Sequence, residues 1–166
     1  LKVVLGNHIQ QKGSLVNEKL LRFDFSHFAK LTPEEISQVE AIVNRRIREN
    51  ISLDERRNVP IAEAKAMGAT ALFGEKYGEQ VRVISFDPSF SVELCGGTHV
   101  SSTGEIGLFK IISEGSISAG VRRIEAVTAL ASQEFINQQF EYLDHIRETL
   151  KHPKDLVGAI EGLLAE

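Results

Sequence analysis

Cysteine is nearly missing from this 166-residue sequence, which holds one, Cys95. A single cysteine cannot close a disulfide within the chain, so a reducing cytoplasm is the expected setting. No run of 18 apolar residues occurs, which excludes a membrane-spanning helix. A large excess of one charge is also lacking: 19 Lys and Arg stand against 23 Asp and Glu, a formal net charge of −4. That balance argues against non-specific nucleic-acid binding by the whole surface and leaves room for a local basic patch. There is no signal-peptide pattern, no internal repeat and no low-complexity segment. The chain begins "LKVVLG" without methionine, and Met67 is its only methionine. Leu1–Leu5 read as the tail of an apolar helix closed by Gly6, so a piece of something longer is expected.

What is present is ordinary for a globular protein, with 42% apolar and 25% charged residues. "KLLRFDFSHF" (19–28) puts Leu21, Phe23 and Phe25 on one side and Arg22, Asp24 and Ser26 on the other, the alternation of a strand. Thr32, Pro33 and Glu35 then compose a capping box with proline at the first helical position. Ile36, Val39, Val43 and Ile47 follow as one apolar stripe, so this stretch predicts a helix. Residues 51–57 predict a polar edge strand, and 60–68 a short helix stopped by Gly68. Strands are predicted over 80–86, 90–94, 106–113 and 121–129, the last two separated by a Gly-rich turn, "EGSISAG". From Ser132 the pattern is helical until Pro153, and another helix follows. Strands joined by short turns favour an α+β fold with a mostly antiparallel sheet and packed helices. Residues 1–130 would make one domain and residues 131–166 a helical segment leading out of it.

Three stretches carry chemistry. In "SVELCGGTHV", Cys95 and His99 are two good zinc donors across a Gly-Gly pair that lets the backbone approach a ligand. A closed zinc site wants four ligands, and a catalytic one three from protein, so this pair is half a site. A nucleophilic Cys–His dyad and a buried cysteine beside a surface histidine are the alternatives. His8 and His27 are available to fold back towards Cys95, though no spacing requires it, whereas His145 and His152 read as solvated. "GNHIQQKGSL" (6–15) is the second stretch, its plain reading a polar turn between helix and strand. "GVRRIEAV" is the third: Arg122 and Arg123 alternate, so that one can pair with a core acid while the other meets solvent or phosphate, the plain reading being a surface salt bridge.

Taken in order, "GNHIQQKGSLV", "LRFDFSHF", "ALFGEKYGEQVRVI", "VELCGGTHVSSTGEIGLFKI" and "AGVRRIEAVT" resemble the editing region of alanyl-tRNA synthetases. A freestanding editing protein, or the related threonyl-tRNA synthetase domain, is similar but fits less well. The resemblance implies hydrolysis of wrongly charged tRNA, serine or glycine on the tRNA that should carry alanine. It implies one zinc, held by Cys95 and His99 together with an H-x-x-x-H pair upstream of Leu1. It implies the acceptor end of tRNA(Ala) as partner. Gln11 matches an editing-pocket residue; Thr98 and Ser14 are candidates for hydroxyl recognition; Arg122 and Arg123 meet the tRNA end or serve the fold. Residues 132–151 are expected to form one amphipathic helix that docks on the sheet or on a second copy, giving a homo-oligomer.

Overall fold

The structure, a computed structural model, describes residues 1–71 and 76–165. Four residues of the "ALFGEKYGE" stretch, 72–75, lie outside the described residues, as does Glu166. The fold is α+β, with every strand pair antiparallel. A short helix α1 (Lys2–Leu5) ends at Gly6, whose φ of 108° closes it. Two strands follow, β1 (Gln11–Val16) and β2 (Leu21–Ser26), then helix α2 (Pro33–Arg48). The capping box forms as the sequence predicts: Glu35 N donates to Thr32 Oγ1 at 3.1 Å, and Thr32 N to Glu35 Oε2 at 2.8 Å. Next come β3 (Asp54–Pro60), helix α3 (Ile61–Ala66), β4 (Gln80–Ser85) and β5 (Val92–Leu94). One 3₁₀ turn (Thr103–Ile106) leads to the hairpin β6 (Phe109–Ser118) and β7 (Val121–Thr128). Helices α4 (Ala129–Thr149) and α5 (Leu156–Ala165) complete the chain.

The strands make two sheets rather than one, in the orders β1-β2-β7-β6 and β3-β4-β5. The larger sheet lays Phe25, Phe109, Ile111, Ile124 and Ala126 against Val39 and Ile47 of α2. The smaller gathers Val59, Val81, Val83, Val92 and Leu94 with Ala64 of α3. Residues Leu1–Ala129 form one compact unit and Leu130–Glu166 a second.

Several boundaries differ from the sequence reading. Residues 6–15 are not simply a turn: Gln11–Val16 pair with β2 as an edge strand, with an irregularity between Gln11 and Gly13. "EGSISAG" is mostly strand, because Glu114–Ser118 continue β6 and the reversal falls at Ala119–Gly120. Gly120 has φ 70°, the left-handed conformation such a turn favours. The helix expected over 132–151 runs over Ala129–Thr149, and Lys151 and His152 carry positive φ beyond its end. In that second unit Phe140, Tyr142, Leu143 and Ile146 are exposed. No helix among the described residues is long and apolar enough to cross a membrane.

Candidate functional site

Strand β5 ends at Leu94, and the chain leaves it as Cys95-Gly96-Gly97-Thr98-His99. Cys95 is half-buried; the four residues after it are exposed. The exposed loop is nevertheless anchored through its backbone. Cys95 N donates to the Arg82 carbonyl at 3.3 Å, and Arg82 Nη1 donates back to the Cys95 carbonyl at 3.0 Å. The same Nη1 donates to the Gly97 carbonyl, while Arg82 Nε donates to Glu55 Oε1 at 2.9 Å. Arg57 Nε also donates to Glu55 Oε1. Hydrogen bonds from Arg82 first and Arg57 second hold the Glu55 carboxyl down at about 2, and Glu55 in turn raises the Arg82 guanidinium. β3, β4 and the loop after β5 are thus tied through one guanidinium.

Neither Gly96 nor Gly97 has a left-handed backbone. A Cβ on Gly97 would stand 3.7 Å from Cys95 Sγ, an ordinary contact, and one on Gly96 would meet nothing. The glycine pair is therefore not required by packing within the described residues; it leaves bare backbone facing outward. Glu93, two residues before Cys95, has its carboxyl pushed up by burial, with the charge of Lys2 acting the other way. The start of α1 therefore lies in the electrostatic neighbourhood of β5.

As a zinc site, Cys95 and His99 supply suitable donor chemistry on one short loop. Among the described residues, no group of three His, Cys, Asp or Glu side chains is placed to hold one ion. The pair fits as part of a ligand set and does not by itself complete one. His8 and His27 do not extend it as the sequence left open. Their rings stack with centroids 5.2 Å apart and face each other through His8 Nε2 and His27 Nδ1 at 2.9 Å.

Gln11 and Ser14 sit on the edge strand β1, where Gln11 Nε2 donates to Ser14 Oγ at 3.2 Å. Gln11 lies opposite Phe25 of β2. Just before it, Ser26 Oγ accepts from Gln10 N and donates to the His8 carbonyl, each at 2.9 Å, pinning "GNHIQ" onto the end of β2. Thr98 stands exposed beside His99.

Arg122 and Arg123 both pair with acids, and the Arg122 pair is buried rather than the surface salt bridge of the plain reading. Arg122 shares the buried face of β7 with Ile124 and Ala126 and is paired through Nε and Nη2 to Glu114, whose side chain is 3% exposed. Arg123, on the other face, makes two bonds to Asp24, Nε–Oδ1 at 2.7 Å and Nη2–Oδ2 at 2.8 Å. Hydrogen bonding by Arg123 lowers the Asp24 carboxyl. Both guanidiniums are committed to cross-strand carboxylates. Sequence reasoning missed Arg82, Glu55 and Glu114. Arg82 stood in plain view in "QVRVI" as a charge inside an apolar strand, but its main partners are backbone carbonyls, which leave no mark on composition.

Residues 81–125 match the family described as the threonyl and alanyl tRNA synthetase second additional domain. That span contains Arg82, Cys95, His99, Glu114 and both arginines of β7. Along its whole length the chain is 68% identical to an alanine–tRNA ligase of Cytophaga hutchinsonii. It is 54% identical to that of Porphyromonas gingivalis and 55% identical to that of Bacteroides thetaiotaomicron, again over all of the chain. The chain spans 19% of the length of each of these relatives.

Proposed function

From a chain that bears the second additional domain of threonyl and alanyl tRNA synthetases and corresponds throughout to a stretch of alanine–tRNA ligases, we infer an editing role. The reaction is hydrolysis of the ester joining serine or glycine to tRNA(Ala). The observation that carries this reading is the Cys95–His99 loop, anchored by Arg82 inside the matched span. The physical need is general: alanine and glycine differ by a methyl group, and a small pocket rejects a hydroxyl-bearing isostere poorly, so selection by binding alone falls short.

Water attacks the ester carbonyl, the acyl C–O bond breaks, and the ribose hydroxyl leaves with a proton. Cys95 and His99 are the residues of this chain that would hold zinc, which supplies a positive centre for the substrate's amino group. Gln11 orients the substrate or the attacking water through its amide, and Ser14, its hydrogen-bond partner, fixes that amide. Thr98 offers a hydroxyl beside His99 for recognition of the serine side chain. Arg122 and Arg123 hold the sheet beneath the acceptor end through their carboxylate pairs.

The test uses a chain extended upstream by about 20 residues, some 30 Å of helix. Cys95→Ala is expected to abolish deacylation of Ser-tRNA(Ala) together with bound zinc, whereas Gln11→Ala lowers the rate and keeps the metal. Full activity in Gln11→Ala removes Gln11 from the site; retained zinc and activity in Cys95→Ala overturns the reading. A second reading, a non-catalytic module that docks tRNA or self-associates, is favoured by the exposure of Phe140, Tyr142, Leu143 and Ile146 on α4. There, Leu143→Asp with Ile146→Asp dissolves a dimer seen by light scattering; an unchanged mass removes self-association through this helix.

A further inference from the structure

We propose that Arg82 is the positioning residue of the Cys95–His99 loop, with Glu55 as its brace. Three acceptors converge on one guanidinium: Glu55 Oε1, the Cys95 carbonyl and the Gly97 carbonyl. The two carbonyls flank Gly96 and fix the backbone on both sides of the most permissive link in the loop. Without that clamp, Gly96 and Gly97 would leave Cys95 and His99 free to diverge, since neither glycine is confined by a close neighbour. The planar fork of arginine suits the task, because it directs several donors at fixed angles, which a lysine ammonium cannot do. Its aim is set by Glu55 on β3, so the edge strand of the smaller sheet reaches the loop through a side chain. Arg57 shares the same Glu55 oxygen and is largely exposed at 72%, so it tunes Glu55 rather than the loop. Arg82 touches backbone only at the loop; its role is to hold the donors in place.

The inference deepens the editing reading by naming what arranges that site, yet its test needs no tRNA and no metal. The 15N order parameters of the backbone amides are measured residue by residue on this chain and on Arg82→Gln, Arg82→Lys and Glu55→Gln. In Arg82→Gln those of Gly96, Gly97, Thr98 and His99 are expected to fall from about 0.85, the value of a rigid backbone, to below about 0.6, as loss of the charge-assisted bonds to the carbonyls frees the loop. The amides of β4 and β5 and the melting temperature change little. Arg82→Lys gives partial restoration, because one ammonium reaches one carbonyl. Glu55→Gln loosens the loop less than Arg82→Gln does. Unchanged order parameters at 96–99 in Arg82→Gln overturn the proposal. An equal fall across β4 and β5 also overturns it, since Arg82 would then merely hold the sheet together. A loosened loop in this chain, with the upstream-extended chain inert toward zinc and aminoacyl-tRNA, leaves this inference standing and removes the editing reading instead.

Discussion

The two sheets of the first unit are held by different means. The larger is closed by packing. Its apolar face seats on α2, and its exposed edge is covered by side chains that imitate a neighbouring strand. Asn44 accepts from Phe109 N and donates to the Phe109 carbonyl, both at 2.9 Å. Glu40 Oε1 accepts from Ile111 N at 2.7 Å and its other oxygen takes Lys110 Nζ at 2.9 Å. Over Phe109–Ile111 the edge is thus closed to another strand. The smaller sheet has shorter strands and a core without a single aromatic among its buried members. What organises the end that carries Cys95 is polar: Arg82, Glu55 and Arg57. One sheet is thus closed by packing and the other ties its loop by hydrogen bonds, so stability and loop geometry should be separable by mutation.

The largest expected effect falls on the packed sheet. Phe25 is fully buried, and Phe25→Ala is expected to cost about 3–5 kcal/mol by urea unfolding. Val83, at 1% exposure the counterpart in the smaller sheet, should cost about 2 kcal/mol when cut to alanine, from fewer atoms removed. Equal losses at the two positions would show that the smaller core is as consequential as the larger.

Arg122→Ala comes close behind. It strands Glu114, only 3% exposed, without its cation, and breaking a buried pair from one side costs about 3–5 kcal/mol. Arg123→Ala also strands a buried carboxylate, Asp24 at 10% side-chain exposure, but Arg123 is itself 29% exposed, so water can enter where it stood and the cost should be less. The two neighbours therefore separate a core role from a face role. If Arg123→Ala destabilises more than Arg122→Ala, the assignment of faces on β7 is wrong.

Much of the scaffold was legible in the sequence because its signals are local. The capping box at Thr32, the period-two pattern of "LRFDF" and the glycine after α1 each act within a few residues. The hidden parts depend on distant partners. β1 reads as a polar turn because it is an edge strand whose side chains mostly meet water and whose Gly13 leaves room for Asp24, with Oδ2 3.3 Å from where its Cβ would be. The outer half of β6 reads as a turn for the same reason: "EGSIS" is held by pairing with β7 rather than by burial of its own residues. Of the candidate site residues, Cys95 and His99 stand out in the sequence by their donor chemistry. Arg82 did not, because no spacing links a strand arginine to carbonyls 13 and 15 residues on.

A middling effect tests a local signal. Thr32→Ala removes the acceptor for Glu35 N and should cost about 1 kcal/mol, with Thr32→Ser restoring most of it. The loss belongs to the scaffold, so the order parameters at Gly96–His99 should not respond.

The smallest expected effect lies in the polar brace and shows as pH dependence. Glu55 ionises at about 2 in the fold against an ordinary value of 4.5, chiefly because Arg82 and then Arg57 donate to it. A depressed carboxyl contributes stability that is fully present above the unfolded value and fades as pH falls through the folded one. The window is therefore from about 4.5 down to about 2. Other lowered carboxylates, Asp24 and Asp87, act in the same direction, so the wild-type curve alone does not isolate Glu55. The informative quantity is the gap in Tm between the wild type and Glu55→Gln. That gap should narrow as pH drops through the window, because protonated Glu55 and glutamine are both uncharged there. It should also shrink in high salt, since the Glu55 and Arg82 side chains are 25% and 22% exposed and Arg57 far more so. The Phe25→Ala offset, which has no proton in it, should stay nearly constant over the same range. A Glu55→Gln gap that does not vary with pH would mean that Glu55 contributes shape rather than charge, and the contrast between a packed sheet and a charge-braced one would fail at its most specific point.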